Sequence, residues 1–368
     1  MGPMTAITID AVASTESLRA EWDALADRTE CPPFLYGGFI DAWASAFHGP
    51  DALRILTARD GAELVGVLPL VINGDVAQTP PRFGQAGAVS LDESVSRALL
   101  AHALAQMDLR TIEMGPLPAG GTELVMAQGS AESAGFAYTD WMNQEQPVVD
   151  CDTDWETYFA GLSRNLRKDV RRRRRRLEER GELTIEVHRG ADALGERLAE
   201  GVAIENSGWK GQEGTAILAG DGQLAFYEAL ADWTAARDAL EITFLRLDGA
   251  AVAFHYNIVF HGILYALKIG FDEAHADLSP GKVLLGAEIE RTFAEGRRRF
   301  DFGGDPEDYK LKWATGTPEF RDCRLETQSV ATTLSRAARG AAKFARRIRS
   351  DDAPSQPADG MAGRKHRT

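Results

Sequence analysis

The chain has 368 residues, 44% of them hydrophobic, with 41 Lys and Arg against 55 Asp and Glu and a formal net charge of −14. That length suggests two domains at about 100–200 residues each, and the acidic balance excludes a surface built as a whole for nucleic acid, so no specific DNA binding is expected. Cys31, Cys151 and Cys323 lie far apart with no paired spacing, which points away from a disulfide framework or a zinc site and toward a reducing compartment. No apolar run approaches the roughly 20 residues of a membrane span, and the amino terminus lacks the charged and apolar regions of a secretory leader. A cytoplasmic chain is expected.

The predicted elements begin with "PFLYGGFIDAWASAF" (Pro33 to Phe47) and a pair of strand-like runs from Leu53 to Ile72 around Asp60-Gly61, the signature of a hairpin. A helix follows over Ser94 to Gln106, then a strand over Leu109 to Leu117. That helix opens with Asp92 and Glu93, which would repel a phosphate. In the second half the spacing predicts helices over Trp155–Leu162 and Arg164–Arg180, a strand over Leu183–Val187, and helices over Ala191–Glu205 and Gly222–Arg237. Three strands are expected between Leu240 and Phe271, the first two around Asp248-Gly249, then a helix over Gly281–Glu295, a strand over Arg299–Phe302 and a last strand over Arg321–Thr327.

The order hairpin, helix, strand occurs in both halves, which reads as a duplicated α/β unit. The expected fold is α/β (α+β): two tandem domains, 1–150 and 151–328, each a mixed central sheet flanked by helices. Residues 329–368 are expected to form a basic helix and a disordered tail. Leu334, Ala338, Ala341, Phe344 and Ile348 share one helical face there, suited to packing on the core or to lying on a membrane surface.

Candidate site residues concentrate in the second half. Ser279, Pro280 and Gly281 suit a helix start, with Ser279 as N-cap and Pro280 at the first helical position. The bare N–H groups of such a start attract anions, and Lys282 adds a positive charge. Asp301 ends a strand before Gly303-Gly304, where it could serve as a base or cap the turn. Tyr309 could return a proton to a leaving thiolate and Lys310 could hold an anionic group of the acceptor; both would otherwise belong to a short surface helix packed on Trp313. His255 is a candidate base or substrate contact, and it and His261 lack a third ligand for a metal. "RNLRKDVRRRRRRLEERG" places Leu166, Val170 and Leu177 on one stripe and arginines elsewhere. It reads as a solvated face or as a contact for polyanions or the inner membrane leaflet, with Arg167 and Arg171 as substrate contacts.

The order of elements, with "LSPGKVLLGAEIERTFAEG" and "FDFGGDPEDYKLKWA", resembles the GNAT acyltransferase fold. More narrowly it is similar to the branch associated with cellulose and exopolysaccharide biosynthesis, related to the Fem aminoacyltransferases. The resemblance runs from about Pro33 to Leu325. It implies acetyl-CoA or another acyl-CoA as donor, no metal, and direct attack of an amine or hydroxyl on the thioester. The acceptor would be a small molecule, a saccharide or a cell-envelope precursor. Of the family's glycine-rich donor turn only Gly281 is in place. A Fem-like transfer from aminoacyl-tRNA and a non-catalytic role in polysaccharide biosynthesis are the alternatives.

Overall fold

A computed structural model of the chain describes residues 7–48, 52–80, 84–207 and 220–328. Its helices are α1 (Arg19–Thr29), α2 (Gly37–Phe47), α3 (Glu93–Gln106), α4 (Thr122–Ser133), α5 (Trp155–Gly161), α6 (Arg164–Glu178), α7 (Leu194–Ser207), α8 (Gln223–Ala235), α9 (Pro280–Ala294) and α10 (Asp308–Leu311). The strands of the first half are β1 (Thr8–Val12), β2 (Leu53–Asp60), β3 (Glu63–Asn73), β4 (Val76–Gln78), β5 (Val89–Ser90), β6 (Thr111–Pro118) and β7 (Phe136–Glu145). Those of the second are β8 (Val148–Asp150), β9 (Leu183–Arg189), β10 (Leu240–Leu247), β11 (Ala250–Phe260), β12 (Ile263–Phe271), β13 (Arg299–Asp301) and β14 (Glu319–Thr327).

Both predicted hairpins form. Asp248 and Gly249 are both left-handed, with φ of 50° and 81°, the geometry of a two-residue turn whose twist matches the flanking strands. One sheet has the order β1-β2-β3-β4-β6-β14-β7, with β5 beside β3, and the other has the order β8-β13-β12-β11-β10-β9. In each, among the described residues, a single parallel pair (β4 with β6, β12 with β13) interrupts antiparallel neighbours. A helix crosses over within each parallel connection, α3 in the first and α9 in the second. Asp92 caps α3 by accepting from the N–H groups of Ser94 and Val95, so its carboxylate occupies the place an anion would take.

The last strand departs from expectation. Rather than completing the second sheet, β14 lies between β6 and β7 of the first. In return β8, which follows the first sheet in the chain, pairs with β13 of the second. The reason is packing: Cys323 and Leu325 of β14 are fully buried with Met114 and Ile112 of β6. Arg321 and Arg324 meet Asp140 and Glu113 on the neighbouring strands. The two halves thus exchange a strand each.

Cluster membership defines the layers. Leu56, Ala58, Val65 and Leu68 point to α3 and α4, whereas the alternating Leu53, Ile55, Leu64 and Val67 join a core with α1, α2, α7, α8 and β10–β12. Helices α1, α2, α7 and α8 are therefore sandwiched between the two sheets. The outer face of the second sheet is covered by α5, α6 and α9, through Leu166, Val170, Leu285 and Ile289. No helix among the described residues is long and apolar enough to cross a membrane. The expected basic helix over Leu334 to Ile348 lies outside the described residues.

Candidate active site

Strand β13 pairs with β12 at only three positions, Ile263 with Arg299, Leu264 with Phe300 and Tyr265 with Asp301. It then turns away at Gly303 and Gly304, with φ of 58° and 59°. Two successive left-handed residues are costly for anything but glycine. Strand β12 continues to Phe271, so among the described residues its edge has no strand neighbour on that side beyond Tyr265. It is also bulged: Tyr256 of β11 faces Lys268 and Asn257 faces Ala266, leaving Leu267 as the extra residue. A cleft of about 630 Å³ opens along this edge and is lined by every residue from Ala266 to Phe271.

Alternation along β12 places the cleft on both faces of the sheet. Lys268 and Gly270 face α7: the Lys268 Nζ lies 3.5 Å from the Glu205 Oε1, and a Cβ on Gly270 would come within 2.9 Å of the Glu205 Cα. Phe271 faces the start of α9, where a Cβ on Gly281 would meet its ring at 3.2 Å. Ile269 shares that second face with His255, its direct partner on β11. The gap between β12 and β13 thus joins two chambers, one under α7 and one at the first turn of α9.

The α9 chamber holds Ser279, Gly281 and Lys282. Pro280 takes the first helical position, buried and outside the cleft lining. Ser279 is at the N-cap position but does not cap. Its backbone is left-handed, φ 53°, and its hydroxyl instead accepts from Arg173 and donates to the Ala276 carbonyl oxygen. The 3-10 turn over Glu273–Leu278 ends at Ser279 in this left-handed conformation, and no side-chain cap bond forms.

The polar cluster after β13 separates. Tyr309 and Lys310 line the cleft with Gly303, Gly304 and Glu307. Burial, aided by the charge and hydrogen bond of Glu307, pushes the Tyr309 phenol well above its ordinary range, which keeps it a proton donor. Lys310 has its ammonium tied to the carbonyl oxygens of Gly303 (2.9 Å) and Asp305 (3.1 Å) and to Glu307 (3.0 Å); it braces the loop rather than reaching for a substrate. Asp301 is absent from the lining and accepts from the Gly303 N–H at 2.8 Å. It caps the turn, so the expected base is not there. Arg167 and Arg171 also miss the cleft. The first donates to the Leu162 carbonyl oxygen at 3.1 Å, and the second stacks on Phe159 at 5.2 Å, because their helix presents that side to α5.

Residues 164–311, from the start of α6 to the end of α10, match the acetyltransferase (GNAT) domain family. Over that segment, less than half of its length, the chain is similar to this family. No curated protein matches the chain significantly. Among solved structures, the C-terminal domain of a proposed lysylphosphatidylglycerol synthetase from Agrobacterium fabrum is similar at a TM-score of 0.56 and 12% identity, covering 88% of this chain and 95% of that one. FemX is similar at 0.55 and 12%, covering 85% and 96%. L-PGS from Bacillus licheniformis is similar at 0.55 and 13%, covering 86% and 93%. At these identities the likeness is one of fold: two mixed sheets flanked by helices.

The matched segment holds four lining groups beyond the candidates named from the sequence. They are Glu205, Lys268, Tyr227 and the backbone of Ala266–Phe271. Two left a signal. Glu205 follows Leu198 and Val202 at spacings that put it on the buried stripe of α7, and it is 1% exposed. Lys268 is the lone charge in the apolar strand "ILYALKIGF". The parting of β12 and β13 left none, since it depends on where β13 departs.

Proposed function

We propose that this cleft transfers an acyl group from an acyl-CoA, acetyl-CoA included, to an amine or hydroxyl acceptor. The parting of β12 and β13 carries the reading. It leaves the β12 edge beyond Tyr265 without a strand neighbour among the described residues, beside a helix start with a nearby lysine. The donor's phosphates suit the α9 chamber, where the helix start and Lys282 favour anions. The thioester carbonyl then lies along this edge, where backbone N–H donors would stabilise the charge that develops on its oxygen. Tyr309 returns the proton to the departing thiolate. That the acceptor is a saccharide or envelope precursor, as in exopolysaccharide biosynthesis, rests on the sequence resemblance alone.

Calorimetric titration with acetyl-CoA and longer acyl-CoAs tests the donor. Gly281→Val should fill the approach to the first turn of α9 and weaken binding by about 1–3 kcal/mol, the scale of a charge-assisted hydrogen bond. Absence of binding by the unmodified protein to all of them overturns the reading.

A second reading, transfer from aminoacyl-tRNA, is favoured by one observation: Arg173 of α6 reaches Ser279 at the edge of the same cleft. Arg172 and Arg173 are held by Asp169, and Arg174 and Arg175 pair with Glu178 and Glu179. Arg164 and Lys168 are exposed on the side of the helix away from Leu166 and Val170, and Arg176 is exposed on its flank. They are where a polyanion, or the inner leaflet of a membrane, would dock. Replacing these three with Gln should weaken tRNA binding and flatten its salt dependence by about one phosphate contact per charge removed. Unchanged affinity and salt slope would leave α6 a solvated face.

A further inference from the structure

Building on the proposed transfer for its reaction step, we infer that the acceptor enters through the α7 chamber and is a zwitterion, an amine with a carboxylate close by as in an amino acid. Glu205 is the first reason. It sits on the buried stripe of α7 with a side chain fully shielded from bulk solvent, where an ionised carboxylate is costly to keep and is retained only with a charged partner or a use. Gly270 brings it to the strand edge. Any side chain at that position would push α7 back, since even a Cβ would lie 2.9 Å from the Glu205 Cα.

Lys268 is the second reason. It directly follows the bulge at Leu267, and its ammonium lies 3.5 Å from the Glu205 carboxylate with the side chain 14% exposed. A cationic amine alone would gain from Glu205 and lose to Lys268. A zwitterion matches both charges, and a plain hydroxyl matches neither. The imidazole that would suit activation of a hydroxyl, His255, lies on the other face of the sheet, with Ile269 and the α9 chamber.

The chemistry then balances. The Glu205 carboxylate takes one proton from the bound ammonium. The neutral amine forms a C–N bond to the thioester carbonyl carbon, the C–S bond breaks, and the second amine proton passes to the departing thiolate. Lys268 holds the acceptor's carboxylate throughout.

The test uses the full chain, acetyl-CoA and thiol release, with the common amino acids, their decarboxylated amines and the matching hydroxy acids as acceptors. At least one amino acid should exceed its amine and hydroxy acid by about 10-fold or more in kcat/KM. Lys268→Met should erase that preference by raising KM about 10–100-fold, more than it lowers kcat. Glu205→Gln should cut kcat by about 10²–10⁴. Lys268→Arg and Glu205→Asp, which keep the charges, should recover part of each loss and guard against misfolding. Thermal shifts with the same acceptors in the absence of acyl-CoA separate the two proposals. A shift by an amino acid, lost in Lys268→Met, sustains the acceptor inference even where no acyl-CoA binds. Acyl-CoA turnover with amines or hydroxyls lacking any carboxylate preference overturns it while leaving the donor reading intact, and an absence of both shift and turnover with every amino acid overturns it outright.

Discussion

Glu241→Ala should lose about 3–5 kcal/mol of stability in urea unfolding, the cost of removing one partner from a buried charge network. The Glu241 carboxylate, 4% exposed, accepts from Arg189 at 2.7 Å, Arg291 at 2.8 Å and Arg297 at 2.5 and 3.1 Å. Without it three guanidinium groups face a void with only Glu288 and Glu295 to offset them. Burial alone would raise the Glu241 pKa, but the Arg297 hydrogen bonds and the charges of Arg291 and Arg297 outweigh it, and the net direction is down. The sign follows from linkage. A depressed carboxylate stabilises the fold above its unfolded pKa, and that stability is lost as pH falls through the folded value. Wild type should therefore weaken in acid more steeply than the variant. The network also ties the end of α9 to β9 and β10, so α9, whose first turn borders the cleft, should move when it is broken. A loss under about 1 kcal/mol would mean that the arginines find solvent instead.

Asp301→Asn should act in the opposite direction and stabilise the protein by up to about 3 kcal/mol near pH 7. Burial raises this carboxyl from 3.8 to about 6, despite the Gly303 N–H and the charges of Arg299 and Lys310, and each pKa unit corresponds to about 1.4 kcal/mol. Because the folded form binds the proton more tightly, wild-type stability should fall as pH rises from about 4 to about 6 and then level off at the higher cost. The Asn variant keeps an acceptor for the Gly303 N–H and should lack that slope. Paired denaturation curves at pH 4, 5, 6 and 7 isolate the difference. Acyl transfer should persist in the variant, since Asp301 faces the turn; a kcat drop of about 10² or more would return Asp301 to the reacting atoms.

Much of this was legible in the sequence because it is local. Periodicity and turn chemistry placed the helices over Trp155–Leu162, Arg164–Arg180 and Gly281–Glu295, close to the observed Trp155–Gly161, Arg164–Glu178 and Pro280–Ala294, and both Asp-Gly hairpins, since a 3.6 or 2 repeat and a left-handed glycine are properties of a few adjacent residues. One cleft gathers Ser279, Gly281, Lys282, Tyr309 and His255, although no local pattern in the sequence shows that they meet. What tertiary structure alone decided is every choice between partners distant in the chain. The residue types permit Asp301 to be a base or a cap, and the turn at Gly303 made it a cap. Lys310 could hold a substrate or a loop, and the carbonyl oxygens of Gly303 and Asp305 took it. Alternation in β14 shows that one face is buried but not in which sheet, and the Met114 and Ile112 side chains settled that. The Glu205–Lys268 pair unites α7 with a strand bulge, a meeting that no spacing along the chain encodes, because it depends on where β13 leaves its neighbour and how closely Gly270 lets α7 approach.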